Sequence, residues 1–398
     1  MAINSDKLYG KQSISEQKNL IRRNNKKSKA ATVITVGSVD YTILLTVSLL
    51  LLIGILMVFS AGYYQAVYIY EDQFYFLRRQ ITFCVMGFCV MMIMSSINYR
   101  FLMKFSIPLF LGSNLLLALV PFFGKEKGGQ KRWIEIAGYE FQPSELSKLA
   151  IILLLSYLIY RNKNILKYWG GFLFCCILVG ITSGLVLLGG LSTALIVAAI
   201  GFGIIFVASP HVTRFVVAAV FAVSGLVAYL VYFSQSYRGA RFQVWLDPWS
   251  DPINMGFQII NSLYAIGSGG PFGLGIGQSR QKNGFLPEPH NDFIFSIICE
   301  ELGFVGAALV LGLFAILIWR GISIAIKSPD IFASLFATGI VIMIGSQVVI
   351  NVAVVTNSMP NTGIPMPFIS YGGTSLLITM FLMGVLLSIS RYSKEKNW

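Results

Sequence analysis

The side chains best suited to chemistry in this sequence fall in three polar stretches set between long apolar runs. The first, GKEKGGQKRWIEIAGYEFQPSELSK, puts Lys131 and Arg132 beside Trp133. Such cations grip phosphate oxygens, and an indole shapes a groove for a lipid or sugar. A tryptophan at this place is also a common anchor at a membrane surface. The second stretch contains Arg241 and Lys282 and closes on LPEPHNDF, with Glu288, His290 and Asp292. Asn291 is expected to cap the next helix and Asp292 to lie in its first turn. A carboxylate there either accepts a proton or complements the helix dipole. In the third, NVAVVTNSMPNTGIPMPFISYGGTSL, Pro360, Pro365 and Pro367 forbid a regular helix, so the segment is expected to line a cavity.

Two more carboxylates, Glu300 and Glu301, fall about two turns below Asp292, at a depth where an unpaired charge is costly. They need partners. Lys148 lies at similar depth and is the expected counter-ion, with Glu145 nearby, and a structural pair is favoured over direct catalysis. His211 and His290 are the only histidines, and the topology derived below separates them, which excludes a histidine metal cluster.

Apolar helices must hold these groups in place. Of the 398 residues 56% are hydrophobic and 12% charged, about half the usual charged share of a soluble chain. The reading is an all-α polytopic membrane protein of about ten transmembrane helices. The spans are expected at 39–61, 80–97, 103–122, 144–160, 170–189, 191–208, 214–233, 292–319, 331–356 and 371–390. Residues 1–38 form a basic tail with little to bury, read as disordered and cytoplasmic, and residues 39–398 form one membrane domain. The first apolar run is long enough to span and is read as a helix rather than a leader.

With the tail inside, Arg100, Lys104, Arg161, Arg214, Arg320 and Arg391 also fall inside, as positive-inside topology asks. Four loops then face outward: 62–79, 123–143, the large 234–291 between helices seven and eight, and 357–370. They carry Arg79, Lys131, Arg132, Arg241 and Lys282 against that rule, which points to an anionic ligand. Within the large loop, Phe257 to Ile266 has the spacing of an interfacial or re-entrant helix, ahead of a glycine-rich run that lets backbone approach a ligand. The net charge of +13 sits in the tail and short loops, so nucleic acid is not the expected partner. All five cysteines lie in apolar runs and are read as packing residues. No fixed-period repeat or inverted pair of broken helices is visible, which weakens a transporter reading.

Taken together, RWIEIAGYEFQPSELSKLA, DPINMGFQIINSLYAIGSGGPFGLGIGQSRQKNGFLPEPHNDFIFSIICEELGFVG and NTGIPMPFISYGGTSL resemble the SEDS family (FtsW, RodA and SpoVE) over almost the whole chain after the tail. WLDPWSDP, SLYAIGSGG, GQSRQK and LPEPH look closer to the division branch, FtsW, and its sporulation relative than to the elongation branch. One departure is GGLSTAL, where Gly190 stands at a place that many members fill with an acidic residue, so that loop is given no ionic role.

The resemblance implies a peptidoglycan glycosyltransferase that polymerises lipid II into β-1,4-linked strands and releases undecaprenyl diphosphate. By it, Asp292 matches the essential aspartate of an HTDF-like motif, Trp133 the important tryptophan, and Arg79 a basic residue lining a central cavity. The donor is α-linked and the product β-linked, so one inverting displacement with one base suffices. Asp292 is the expected base; Arg79, Lys131, Arg132, Arg241 and Lys282 form the pool for diphosphate contacts, and Glu288 and His290 are counted with the substrate-binding residues. A divalent cation, Mg or Mn, held by carboxylate and diphosphate is compatible with this scheme. The resemblance further implies a class B penicillin-binding protein as transpeptidase partner, since the chain has no SxxK, SDN and KTG set. It also implies other divisome proteins, and action on the outer face of the bacterial cell membrane at the septum. Elongation or sporulation polymerase, lipid II flippase and non-enzymatic scaffold are the alternatives.

Overall fold

The structure, a computed structural model, describes residues 37–127, 130–136, 139–211, 213–215, 244–254 and 256–392. Among them nine helices are long and apolar enough to cross a membrane. These are α1 (Tyr41–Tyr70), α2 (Tyr75–Ser96), α3 (Ser106–Phe123, entered through a 3-10 turn Tyr99–Phe105), α4 (Pro143–Arg161), α5 (Trp169–Gly189) and α6 (Leu191–Ala208). After a shorter loop helix, α7 (Phe257–Ser268), come α8 (Ile294–Lys327), α9 (Ile331–Val355) and α10 (Gly373–Arg391). The all-α expectation holds, and nine of the ten expected spans coincide with these helices. The expected span 214–233 and most of the tail lie outside the described residues.

Apolar surface in a membrane gives helices no reason to prefer one another over lipid, so close approach depends on small residues. A Cβ on Gly384 of α10 would lie 2.5 Å from the Met91 carbonyl oxygen of α2, and one on Gly87 of α2 would lie 2.9 Å from Met380. At Gly384 the helix meets the other backbone directly, and at Gly87 the Met380 side chain fills the space that a Cβ would take. Helix α4 is the most enclosed span, with 78% of its apolar window buried, and packs against α3, α6, α9 and α10. Buried continuously from Leu149 to Ser156, it is the bundle's central post. At the tail end, Asp40 caps α1 through Thr42 and Ile43 N–H and receives Arg320 Nε of α8 at 3.1 Å. Asp330 caps α9 and receives Arg100 Nη2 at 2.9 Å. These contacts bind helix ends that are remote in sequence.

The opposite end carries the polar stretches. The segment after α3, expected as a loop, forms an antiparallel meander of β1 (Lys125–Lys127), β2 (Gln130–Ile136) and β3 (Tyr139–Phe141). Its register sets Lys125 opposite Trp133 and Ile134 opposite Phe141. The expected loop helix forms as α7, which buries Ile259, Ile260, Ser262 and Ala265. Its Ser262 Oγ donates to the Val355 carbonyl of α9 and meets Ser296 Oγ of α8, both at 2.7 Å.

Helix α8 is broken at Gly303, whose φ of 68° and ψ of −168° leave the helical region. The glycine-rich loop fills the break. Leu274 N–H donates to the Glu300 carbonyl at 2.9 Å and Gly275 N–H to that of Glu301 at 3.0 Å, while Phe304 N–H reaches Gly270 at 2.9 Å. A Cβ on Gly273 would fall 2.1 Å from the Glu301 carbonyl oxygen. The glycines expected to approach a ligand instead pack backbone on backbone against α8, where the freed groups find partners, and they are absent from the cavity wall described below.

Candidate active site

At the same end, a cavity of about 390 Å³ opens between the meander, α2, α4, α6 and α9, and the turns that precede α8 and α10. Its wall contains Asp292, Trp133, Arg79, Arg132, His290 and Glu288. Six of the residues expected from the sequence to serve catalysis or substrate binding are thus brought together from three segments: β2, the first turns of α2 and the turn before α8.

Asp292 does not sit within α8. Phe293 occupies the cap position with no side-chain cap bond, so the first-turn reading is corrected by two residues. Asn291 does not cap either, because its amide is turned to the Glu288 carboxylate. The turn is held by its carbonyls instead. Tyr371 N–H donates to His290 O at 2.9 Å, Ser370 Oγ to Asn291 O at 2.7 Å and Asn351 Nδ2 to Asp292 O at 2.7 Å. Asn351 Nδ2 also donates to Ile364 O at 2.7 Å. Three successive carbonyls are therefore gripped by α9 and the proline segment. The backbone that carries Asp292 is thus fixed by hydrogen bonds from outside α8.

The proline segment also decides what surrounds Asp292. Gly363 has φ +65°, and a Cβ there would lie 3.0 Å from Asp292 Oδ2 and 3.9 Å from Arg132 Nη1. The carboxylate and the guanidinium thus converge on one glycine. Arg132 reaches this place from β2, its Nε donating to the Gly189 carbonyl at 2.6 Å. A Cβ on Gly190 would meet its guanidinium at 2.8 Å. The position that lacks an acidic residue is the one over which Arg132 lies.

Arg79, on the first turns of α2, stacks over the Tyr75 ring at 4.5 Å and hydrogen-bonds Tyr371. Burial raises the Tyr371 phenol above its ordinary pKa despite that arginine, so the hydroxyl stays protonated at neutral pH. His290 is buried, its ring 4.1 Å from that of Phe76 and its Nε2 3.9 Å from Glu288 Oε2. Glu288, between two prolines, is held at φ 49°, an uncommon conformation for a residue before proline.

The other described residues expected to bind substrate lie elsewhere. Lys131 is exposed, its Nζ 3.4 Å from the Pro121 carbonyl, and is absent from the cavity wall. Lys282 is buried away from the cavity, its Nζ 2.8 Å from Glu301 Oε1. Arg241 lies outside the described residues. Lys148 is not the counter-ion of Glu300 or Glu301; it pairs with Glu145 at 2.7 Å, one turn away on its own helix. Glu301 is neutralised by Lys282 and also accepts from Ser60 Oγ at 2.7 Å. Glu300 accepts from Ser279 Oγ and, at 2.8 Å, from Arg280 N–H. The loop that fills the break at Gly303 brings these partners, and proximity in depth alone could not reveal it.

Among the described residues the cavity wall holds four basic and five acidic side chains. It is not a general cationic cradle. An anionic ligand would be held at chosen points, with Arg79 and Arg132 the two expected phosphate-binding residues that reach the space. Sequence reasoning also missed Gln347 and Asn351, two amides one turn apart inside an apolar span. That position was itself the signal, because polar side chains in membrane helices face protein or cavity. No three His, Cys, Asp or Glu side chains among the described residues are grouped to hold a metal ion.

A family model described as cell cycle protein, covering FtsW, RodA and SpoVE, matches residues 40–395. Stage V sporulation protein E of Bacillus subtilis is 42% identical over 365 residues, covering 90% of this chain and 98% of its own. A probable peptidoglycan glycosyltransferase FtsW of Geobacter is 39% identical over 355 residues, covering 88% and 96%. Among solved structures, a chain of a peptidoglycan synthase complex that coordinates polymerization and crosslinking superimposes with TM-score 0.74 at 31% identity, covering 90% of this chain and 99% of that one.

Proposed function

Because the chain belongs to the FtsW, RodA and SpoVE family of cell cycle proteins, we propose that it is a peptidoglycan glycosyltransferase. It polymerises lipid II into β-1,4-linked glycan strands and releases undecaprenyl diphosphate. It is a multi-pass membrane protein, and in this reading both termini are cytoplasmic, the cavity faces outward and the site of action is the division septum.

The observation that carries the reading is the convergence of Asp292 and Arg132 on Gly363 within a cavity that also holds Arg79 and Trp133. Asp292 takes the proton from the 4-hydroxyl of the acceptor sugar, and that oxygen attacks the anomeric carbon of the donor from the face opposite the diphosphate. The bond from that carbon to the diphosphate oxygen breaks with its electron pair, turning an α-link into a β-link. Arg132 and Arg79 face the charge that grows on the leaving group, where such cations contribute most. Trp133 forms wall against sugar or lipid. A divalent cation would draw its ligands mainly from the diphosphate, given the lack of a three-ligand cluster among the described residues, and no step here passes through it.

A class B penicillin-binding protein is the proposed transpeptidase partner, with other divisome proteins around it. Asp292→Asn tests the enzyme reading. Purified protein given lipid II should lose about two to four orders of magnitude in polymerisation rate, the usual contribution of a general base. Undiminished polymer from the Asn variant would remove Asp292 as base, and lipid translocation without polymer from the native chain would make the protein a flippase. Depletion should block septa; a loss of cell width control or of spores instead would move it to the elongation or sporulation branch.

A further inference from the structure

Gln347 lies on α9 one turn before Asn351, and the two amides are used differently. Asn351 commits its amide nitrogen to two backbone carbonyls of the site and, though its own oxygen also lacks a partner, it does not line the cavity. Gln347 is 2% exposed and lines the cavity, yet its amide oxygen is buried with no hydrogen-bond partner. A buried amide oxygen left so is destabilising, and native structures tolerate few of them. The neighbouring charged wall does not supply the missing bond. Glu145 and Lys148 are paired with each other, and Ser375 Oγ donates to Glu145 at 3.1 Å.

We propose that the Gln347 amide is a recognition group for an N-acetylated sugar, pairing with the acetamido group of the lipid-linked substrate. An acetamido group offers one N–H and one C=O, the complement of a glutamine amide, and the burial of Gln347 makes that match selective. Four residues of helix place Gln347 about 6 Å along α9 from the side chain that grips the main chain of Asp292. A sugar with its reacting hydroxyl at Asp292 can therefore reach the Gln347 amide with a ring substituent. This assignment rests on the lipid II reading above and adds to it which part of the sugar the inner wall selects.

The test is equilibrium binding, in the Asp292→Asn background so that nothing turns over. Two probes are compared: fluorescent lipid II, and the same lipid carrying hydroxyls in place of its acetamido groups. The Gln347 protein should bind lipid II about five- to a hundredfold more tightly than the hydroxyl probe, the range expected of one satisfied amide pair. Gln347→Met should bind both lipids alike. Its melting temperature should be unchanged or higher, because an apolar side chain of similar size replaces an amide that lacks a partner. Equal binding of both lipids by the Gln347 protein overturns the proposal, as does discrimination that survives in Gln347→Met. Failure to bind lipid II at all overturns it too. Should the native chain bind lipid II without polymerising it, the transferase reading falls while the amide assignment stands on the binding ratio.

Discussion

Two buried pairs of lysine and glutamate stand near the same end of the bundle, alike in composition and opposite in setting. Lys148 and Glu145 meet at 2.7 Å on one helix, take a third partner in Ser375 and form part of the cavity wall. Lys282 and Glu301 meet at 2.8 Å, take a third partner in Ser60 and lie away from that wall. The first pair needs only three residues of regular helix. The second joins the glycine-rich loop, α1 and the short first half of α8, so it exists only when the loop is seated in the break at Gly303. Charge pairs of the same kind thus serve one region as cavity wall and the other as an anchor for the first half of α8, the helix that follows Asp292.

The comparison breaks first at the anchor. Lys282→Met leaves Glu301 as a buried carboxylate with hydroxyl and N–H partners but no cation. A loss of roughly 3–5 kcal/mol in stability is expected, read as a lower melting temperature and early proteolysis in the loop 269–282. Combining it with Glu301→Leu should recover much of that loss, because an apolar pair leaves no stranded charge. Lys148→Met should cost less, roughly 1.5–3 kcal/mol, since Glu145 keeps the Ser375 hydroxyl and lies against a cavity. Its larger effect should be on polymerisation per folded molecule. Equal melting shifts for the two lysines would end the distinction between wall and anchor.

How much of this was legible in the sequence follows the range of the forces involved. Spans depend on local hydropathy, so α1 to α6 and α8 to α10 were visible in advance. Asp292 and Trp133 were identified by resemblance, and spacing alone left each with an ordinary structural reading. The break at Gly303 was hidden because glycine is frequent in membrane helices, and only a loop folded more than twenty residues upstream turns this one into an interruption. Pairing failed for the same reason: Lys148 and Lys282 are equivalent candidates by charge, and tertiary topology chooses between them. The meander was missed because its strands are three to seven residues long and are bounded by glycines that also suit a loop.

A smaller effect sharpens the cavity side. Gly363→Ala forces a side chain into the left-handed region, at about 1–2 kcal/mol, and aims its Cβ at Asp292 Oδ2, 3.0 Å away. Polymerisation should fall further than stability does, because the carboxylate must turn to make room. If the variant melts lower but polymerises normally per folded molecule, Gly363 serves the fold alone.

The smallest expected effect separates two adjacent cations. Lys131 and Arg132 are neighbours on β2, and a strand sends successive side chains to opposite faces. Arg132 enters the cavity, while Lys131 stays exposed beside Pro121. Lys131→Ala should therefore change stability by less than about 0.5 kcal/mol, as surface substitutions do, and should leave the polymerisation rate near native. Arg132→Ala, judged by the loss of one preorganised donor facing developing charge, should lower the rate about a hundredfold or more. Comparable losses from both would mean that the strand turns over when substrate binds, and the cavity wall would then have to be drawn with Lys131 inside it.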